Sequence, residues 1–150
     1  MLNIRDFSNL EKLLKLEQEE KNSMFDVVNL TKTNSPVSEL VFAKMKQAIL
    51  GEKYQLSLAF VGDRRSKKLN QNYRQKNYVP NILSFEIEKN SGEIFINLNK
   101  VKKQQKKFDM EFRELTKFLF IHGCLHLLGM DHGDKMEAKE NLYVGKFAKL

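Results

Sequence analysis

The chain has 150 residues, of which 41% are hydrophobic, and a formal net charge of +7, because 26 lysines and arginines outnumber 19 aspartates and glutamates. This length and composition predict a single domain over residues 1–150 with one hydrophobic core. The apolar runs are too short for a membrane span or a signal peptide, and one cysteine excludes an internal disulfide, so we expect a soluble cytoplasmic protein.

The first third of the chain predicts a helix, a strand and a second helix. Apolar residues at helical spacing between charged ones predict an extra amino-terminal amphipathic helix over residues 1–20. Residues 24–30, "MFDVVNL", are rich in β-forming residue types and predict a strand. Ser35 and Pro36 favour an N-cap and a first helical position, so we expect the next helix to begin there and to end at Gly51.

The middle of the chain predicts a strand, a basic helix and a hairpin. Residues 54–61, "YQLSLAFV", alternate apolar and smaller side chains, as a strand does. Asp63 is expected to cap a short helix over residues 64–74, whose buried face carries Leu69 and Tyr73. Strands over 82–88 and 93–98 are joined by "KNSG" alone, which requires an antiparallel hairpin and therefore a mixed sheet.

The last third predicts helices from about residue 99, with a break near Phe108 and Asp109. Asp109 is expected to cap a helix that ends at Gly129. One face of that helix carries Phe112, Leu115, Leu119, His122 and His126. A final helix is predicted over residues 134–150, weakened in its interior by Gly145, and its inward residues are Met136, Tyr143 and Phe147. The predicted fold class is therefore α+β, with about four strands in a small mixed sheet packed with helices.

Two lysine-rich stretches stand out against this pattern. Residues 63–76, "DRRSKKLNQNYRQK", and residues 100–107, "KVKKQQKK", concentrate positive charge. Neither stretch has interleaved aromatic residues, so they predict attraction to the phosphates of a polyanion and not the reading of bases. The alternative is a solvated surface with no partner.

All three histidines of the chain lie in "HGCLHLLGMDH", residues 122–132. His122 and His126 are four positions apart, so on a helix they lie about 40° apart around the axis and point at one spot. Gly129 lets the chain leave the helix, and His132 can then return as a third ligand. Three imidazoles leave one tetrahedral position free, which is typical of a catalytic zinc site.

One zinc ion is the favoured occupant of this site, although three imidazoles leave nickel, copper and manganese open. Cys124 lies two residues after His122, about 200° around the helix, so we expect a core residue and not a ligand. Asp131 has two interpretations, a partner that orients a ligating histidine or a turn former, and the turn former is slightly favoured.

The ligand spacing is that of metzincin peptidases, but Gly123 replaces the glutamate that such enzymes carry after the first histidine. Amide hydrolysis needs that carboxylate to move a proton to a poor leaving group. A phosphodiester has a better leaving group and mainly needs its phosphoryl charge neutralised. The motif therefore favours phosphodiester chemistry.

Three blocks of this sequence resemble one known family. "HGCLHLLGMDH" is similar to the HGxLHLxGxDH signature of the YbeY-type rRNA-maturation endoribonucleases. Residues 69–87, "LNQNYRQKNYVPNILSFEI", and residues 91–96, "SGEIFI", resemble two further blocks of that family. The order and spacing of the blocks match, so the resemblance extends over about residues 24–150.

The resemblance implies an α+β domain with a metal held by His122, His126 and His132. It also implies hydrolysis of single-stranded RNA in 3′-end processing of small-subunit (16S) rRNA and in ribosome quality control. RNA and the small ribosomal subunit are the implied partners. The sequence departs from the family where Pro80 replaces a threonine and Glu93 an aspartate, and residues 1–20 have no counterpart.

On its own, Arg74 would be interpreted as a solvated surface charge. The resemblance places it at the family's arginine in the cleft, where a guanidinium can grip a phosphate bidentately and act in catalysis. Asn81 and Ser84 border the same loop and strand, and they are either substrate contacts or an ordinary turn former and strand residue.

The leading hypothesis is a metal-dependent endoribonuclease in which Arg74 and the ion share the phosphoryl charge. No side chain of the motif is an obvious general acid, and attack by the 2′-hydroxyl of the substrate is an alternative to attack by water. A zincin-like metallopeptidase and a non-enzymatic ribosome-assembly factor with a structural metal are the other hypotheses.

Overall fold

The structure, a computed structural model, describes residues 10–16 and 24–150. Residues 10–16 form a short helix, α1, whose side chains are exposed. The rest of the helix predicted over residues 1–20 lies outside the described residues.

A four-stranded sheet forms the centre of the fold. Its strands are β1 (Phe25–Asn29), β2 (Gln55–Phe60), β3 (Ile82–Glu88) and β4 (Ser91–Ile96). They lie in the order β1-β2-β4-β3, with β1, β2 and β4 parallel and β3 antiparallel to β4. The mixed sheet of about four strands and the β3–β4 hairpin are therefore confirmed. The parallel strands are joined by helical crossovers, as parallel pairing requires.

The hairpin is tighter than the sequence predicted. The expected strand over residues 93–98 instead begins at Ser91 and ends at Ile96. Only Lys89 and Asn90 remain in the turn, and Asn90 adopts a positive φ of 62°. Asparagine tolerates this left-handed conformation, which a two-residue hairpin turn needs.

Six further helices pack with the sheet. They are α2 (Glu39–Leu50), α3 (Asp63–Arg74), α4 (Leu98–Lys103), α5 (Gln105–Phe108), α6 (Phe112–Leu127) and α7 (Asp134–Lys146). The core lies between the sheet and α2 and α6, where the Phe42 ring contacts Phe60 and Phe120 at centroid distances of 5.8 and 4.9 Å. Among the described residues, no helix combines the length and the apolar character that crossing a membrane requires.

The starts of α2 and α3 differ from the prediction. Helix α2 is capped by Ser38 and not by Ser35, because the Ser38 hydroxyl oxygen accepts a hydrogen bond from the Val41 N–H at 3.3 Å. Ser35 instead stabilises the turn before the helix. Asp63 is the first residue of α3 and Gly62 is its N-cap, so the predicted boundary was one residue late.

The buried face of α3 also differs from the prediction. Tyr73 is 67% exposed, with its ring 5.5 Å from that of Phe85, and Leu69 is only half-buried. The buried residues of α3 are Ser66 and Asn70. Ser66 Oγ accepts a hydrogen bond from Asn97 Nδ2, and Asn70 Nδ2 donates to the Tyr78 carbonyl, which stabilises these two polar residues at the interface.

The prediction that Asp109 caps α6 was wrong. Asp109 has a φ of 50° and ends α5, so it closes one helix and does not begin the next. The N-cap of α6 is Glu111, and the Phe112 N–H donates to Gln105 Oε1 at 2.9 Å. A side chain from the preceding helix therefore satisfies a free amide that a cap would normally bind.

The end of α6 agrees with the sequence, whereas α7 ends at Lys146 and not at the predicted residue 150. Gly129 has a φ of 85°, and its N–H donates to the His126 carbonyl, while the Met130 N–H donates to that of Leu125. In α7, Met136 and the following Phe147 are buried and Tyr143 is half-buried.

Candidate metal centre and its cleft

The three histidines converge at one point beside α6. His122 and His126 occupy successive turns of the helix, and their Nε2 atoms are 3.0 Å apart. His132 follows the left-handed turn at Gly129, and its ring centroid lies 5.1 Å from that of His122 and 4.8 Å from that of His126. One ring nitrogen from each histidine lies within 4.8 Å of the other two, so the group can hold a metal ion.

The other ring nitrogens of the two helical histidines are fixed by oxygen acceptors. His122 Nδ1 donates to Glu140 Oε1 at 3.1 Å, and His126 Nδ1 donates to the Met130 carbonyl at 3.0 Å. A carbonyl can only accept, so the proton of a neutral His126 sits on Nδ1 and its Nε2 presents a lone pair. Partners of this kind orient metal-ligating histidines in proteins.

The paired Nε2 atoms fit a cation. Two neutral imidazoles that both present lone pairs at 3.0 Å repel each other unless a positive charge lies between them. Zinc–nitrogen bonds of about 2.0–2.1 Å place two tetrahedral ligands roughly 3.3 Å apart, which is close to this separation. The donor set of three imidazoles is one that zinc and other transition metals accept.

The electrostatics also favour a neutral imidazole at His126. Burial is the main cause that lowers the pKa of His126, and electrostatic repulsion from His122, His132 and Arg74 lowers it further. The Met130 carbonyl acts in the opposite direction. A neutral histidine is the form that binds a metal ion.

Two of the three histidines, His122 and His132, line a cavity of about 600 Å³, here called the histidine pocket. His122, His132 and Asn81 lie in its wall, together with the half-buried ring of Phe118. Three acidic residues of α7 also line the pocket, namely Asp134, Glu137 and Glu140. The metal end of the cleft is therefore acidic.

The other predicted site residues lie at different places around this pocket. Arg74 is exposed at the last residue of α3, near enough for its charge to affect His126, but outside the described lining of the histidine pocket. Asn81 lines the pocket, and its Nδ2 donates to Gln104 Oε1 at 2.8 Å. Ser84 is half-buried in β3, where it pairs with Ile94.

Gly123 lies against the sheet and not beside the metal position. A Cβ atom there would lie 3.0 Å from Ile82 Cδ1 and 3.2 Å from Ile94 Cδ1. The glycine therefore lets α6 approach β3 and β4 closely. A larger side chain at this position would point into the sheet, about 100° around the axis from His122.

Cys124 is a core residue, as the sequence predicted. Its side chain is fully buried, and burial raises the pKa of its thiol far above the ordinary value. Lys46 of α2 is also buried, its Nζ donates to the Glu52 carbonyl at 3.3 Å, and desolvation lowers its pKa. Asp131 is exposed in the loop before α7.

Glu140 is a site residue that the sequence reasoning missed. It is 9% exposed and holds His122 by the 3.1 Å contact. A signal was present, because Met136, Glu140 and Tyr143 fall on one face at helical spacing. A carboxylate within an otherwise inward-facing stripe indicates a buried partner.

The sequence matches the family described as Endoribonuclease YbeY over residues 15–143. The chain belongs to the YbeY family. The family assignment made from "HGCLHLLGMDH" is thereby confirmed.

Curated relatives carry the name Endoribonuclease YbeY. The one from Mycoplasma mycoides is 36% identical over 96 residues, which cover 57% of this chain and 58% of the relative. The one from Mesoplasma florum is 31% identical over 116 residues, with 70% and 69% covered, and that from Phytoplasma mali is 41% identical over 96 residues, with 62% and 65% covered. The chain thus matches 58% to 69% of the length of these YbeY relatives.

A solution structure of the protein TM1509 from Thermotoga maritima has a similar fold. Its TM-score is 0.58 at 23% identity, with 83% of this chain and 89% of that chain covered. The likeness agrees with the α+β architecture of the YbeY member described here.

Proposed function

We propose that this YbeY-family chain is a metal-dependent endoribonuclease that cleaves single-stranded RNA. The observation that carries the proposal is the cluster of three histidines beside an open cavity, in which the Nδ1 atoms of His122 and His126 are held by Glu140 and Met130 and their Nε2 atoms lie 3.0 Å apart. Its proposed role is 3′-end maturation of small-subunit (16S) rRNA and ribosome quality control, in the cytoplasm and in contact with the small ribosomal subunit.

His122, His126 and His132 would hold one ion, for which zinc is the proposed identity. When bound, a divalent metal activates water and neutralises charge on a phosphoryl oxygen. Glu140 keeps the His122 ring in position through Nδ1, and the Met130 carbonyl does the same for His126. The two histidines are therefore preorganised by the protein before any ligand arrives.

Substrate contacts would come from the rim of the cleft. Arg74 would pair with a phosphate of the strand and stabilise the charge that develops during cleavage. Asn81 would contact the strand from the pocket wall, and Ser84 from β3. The carboxylates of Asp134 and Glu137 line the same pocket, so they can receive the proton that the attacking group releases.

The test is cleavage by pure full-length chain of known metal content. We expect it to cut single-stranded RNA, to leave duplex RNA and casein intact, and to lose activity in a chelator and regain it with zinc. Cleavage of casein but not RNA would instead identify a metallopeptidase. Normal RNA binding with all three substrates intact would identify an assembly factor.

The role of Arg74 is tested in the same assay by comparing Arg74→Ala with Arg65→Ala. Both arginines are exposed residues of α3, so the two variants lose the same charge from the same helix. Loss of a donor to the transition state should lower kcat/KM about 100-fold for Arg74→Ala. Equal rates for the two variants would remove Arg74 from the proposed machinery.

A further inference from the structure

A second cavity of about 370 Å³ adjoins the histidine pocket. It is here called the lysine pocket, because Lys100 of α4 and Lys107 of α5 lie in its wall. The two cavities share Asn81, Ile82 and Phe108, so they form neighbouring parts of one cleft. A chain bound across the histidine pocket can therefore continue into the lysine pocket.

The two pockets differ in charge. The lysine pocket is lined by Lys100, which is half-buried, and Lys107, which is exposed, whereas the lining of the histidine pocket includes the carboxylates of α7. An anion is therefore favoured at the lysine end and a cation at the histidine end. A strand with phosphates at regular intervals satisfies both ends when one phosphate lies at a metal and a neighbouring one at the lysines.

The lysine pocket also offers aromatic and apolar surfaces. The ring of Tyr78 is 51% exposed, and that of Phe108 is half-buried with Lys107 Nζ 5.8 Å from its centroid. Pro80 adds a further apolar wall. Exposed rings beside lysines are the combination that binds an unpaired base and its phosphate.

Three hydrogen bonds hold the walls of the lysine pocket in place. Asn70, which is fully buried, donates through Nδ2 to the Tyr78 carbonyl at 3.1 Å. The Asn97 N–H donates to the Asn81 carbonyl at 2.9 Å. The bond from Asn81 Nδ2 to Gln104 Oε1 then joins the loop to the helices at the boundary of the two pockets.

The same bond leaves hydrogen-bonding capacity at that boundary. It uses one amide hydrogen of Asn81 and the carbonyl oxygen of Gln104. Asn81 Oδ1 and the Gln104 Nε2 hydrogens make no hydrogen bond within the part of the chain that the structure describes, so they can serve a ligand. A nucleobase, which presents both donors and acceptors at its edge, matches this pair.

We propose that the lysine pocket binds the nucleotide next to the scissile phosphate of a single-stranded RNA, with its base on Tyr78 and Phe108 and its phosphate at Lys100 and Lys107. The inference rests on the proposed endoribonuclease function and adds a subsite to it. A volume of about 370 Å³ lies at the lower end of the range for small-ligand sites, which fits one nucleotide and not a duplex.

The first test compares two lysine pairs that remove the same charge from the same helices. Lys100→Ala with Lys107→Ala alters the pocket, whereas Lys103→Ala with Lys106→Ala alters exposed lysines outside its lining. Binding of a fluorescent 2′-O-methylated single strand of about 12 nucleotides to the full chain is measured by anisotropy at several salt concentrations. The pocket pair should weaken binding at least about 10-fold and reduce the salt slope by about 0.7, the value for the one phosphate that both lysines contact.

The control pair should change the affinity less than about 3-fold, because its lysines contribute only a screened, long-range attraction. Equal losses for the two pairs would overturn the inference. An acidic peptide that displaces the RNA from wild type but not from the pocket pair would also overturn it, since the pocket would then prefer a protein partner.

The second test uses the exposed ring. Tyr78→Leu should weaken binding about 5-fold or more, because a stacked base is lost, and Tyr78→Phe should retain wild-type affinity. Equal affinities for the Leu and Phe variants would contradict the stacking arrangement.

Cleavage is measured in parallel on the same proteins, which separates this inference from the proposed activity. If the wild type cuts RNA and the two lysine-pair variants bind RNA equally well, the proposed activity is supported and the proposed subsite is contradicted. If only the pocket pair loses RNA binding and the wild type does not cut RNA, the proposed subsite is supported and the proposed activity is contradicted.

Discussion

Helix α6 presents two contrasting faces. The face of His122 and His126 is half-buried and borders an open cavity, and its polar atoms are held by single hydrogen bonds. The face of Gly123 and Leu127 is buried against the sheet, where Ile82 and Ile94 leave little space.

This contrast between the two faces explains why position 123 has no glutamate. Position 123 belongs to the packed face, so its side chain is limited by the distance between α6 and the sheet. A carboxylate is absent there mainly because close packing of α6 against the sheet leaves no space for a side chain. The chemistry of the open face must therefore rely on groups from other elements, such as the carboxylates of α7.

The largest effect is expected on the open face. His126→Ala should lower RNA cleavage at least about 1,000-fold, because a metal ligand is lost together with the charge neutralisation that the ion supplies. Metal content by mass spectrometry and cleavage rate are the measurements, with a melting curve as the check on folding. A variant that keeps wild-type metal content would show that His126 is not a ligand.

A substitution on the packed face of α6 should lower the stability of the fold. Gly123→Glu places a carboxylate against Ile82 and Ile94, where overpacking and an unpaired buried charge should lower the free energy of unfolding by about 3 kcal/mol or more. Gly145→Glu is the matched control, because a Cβ atom there meets nothing within 4 Å and the position is exposed.

The control should cost less than about 1 kcal/mol, the scale of an unfavourable charge near a helix carboxyl end. Urea unfolding of both variants decides the comparison. Equal midpoints, or a Gly123→Glu protein that hydrolyses casein, would contradict the assignment of position 123 to packing.

A smaller effect is expected for the carboxylate that orients His122. Glu140→Gln retains the size of the side chain and removes its charge, so metal affinity should fall roughly 10- to 100-fold. Glu137→Gln is the control, because Glu137 lines the same pocket but is exposed and lies outside the His122 contact. Titration with a competing chelator measures both affinities, and equal values would remove the role given to Glu140.

The smallest effect concerns Cys124, on the buried side of α6. The raised pKa of this thiol means that the reactive thiolate is scarce at neutral pH, and burial blocks access. We expect the native chain to react with a thiol reagent far more slowly than glutathione does, and the chain in denaturant to react with one thiol per molecule. Fast reaction of the native chain would show that this side of α6 opens.

Much of the open face could be predicted from the sequence, because helical spacing alone brings His122 and His126 together and Gly129 ends the helix. The mixed sheet followed from alternating strands and a short hairpin link. Glu140 was missed since its partner lies 18 residues away, and nothing local pairs the two. The buried face of α3 was mispredicted because its buried residues are the polar Ser66 and Asn70, and Asn97 donates hydrogen bonds to Asp63 and Ser66 there.

The boundaries of the helices were predicted less well than their existence. Ser35 and Asp109 are good capping residues by type, yet Ser38 and Glu111 hold the N-cap positions. Several suitable residues within a few positions compete for each cap, and packing of the helix decides among them. The lysine pocket was not predictable either, because its walls come from a loop and two helices that the chain brings together only on folding.

Two glycines set how far α6 can turn about its own axis. Gly123 in the helix faces Ile82 and Ile94, and Gly92 in β4 faces Leu127 and the Tyr54 hydroxyl, so the helix and the sheet interlock at two levels. A ligand atom about 6 Å from the axis moves roughly 1 Å for a 10° turn, and errors of that size can cost an enzyme about 100-fold in rate. The direction in which the histidine side chains point is thus set by two glycines, which have no side chain.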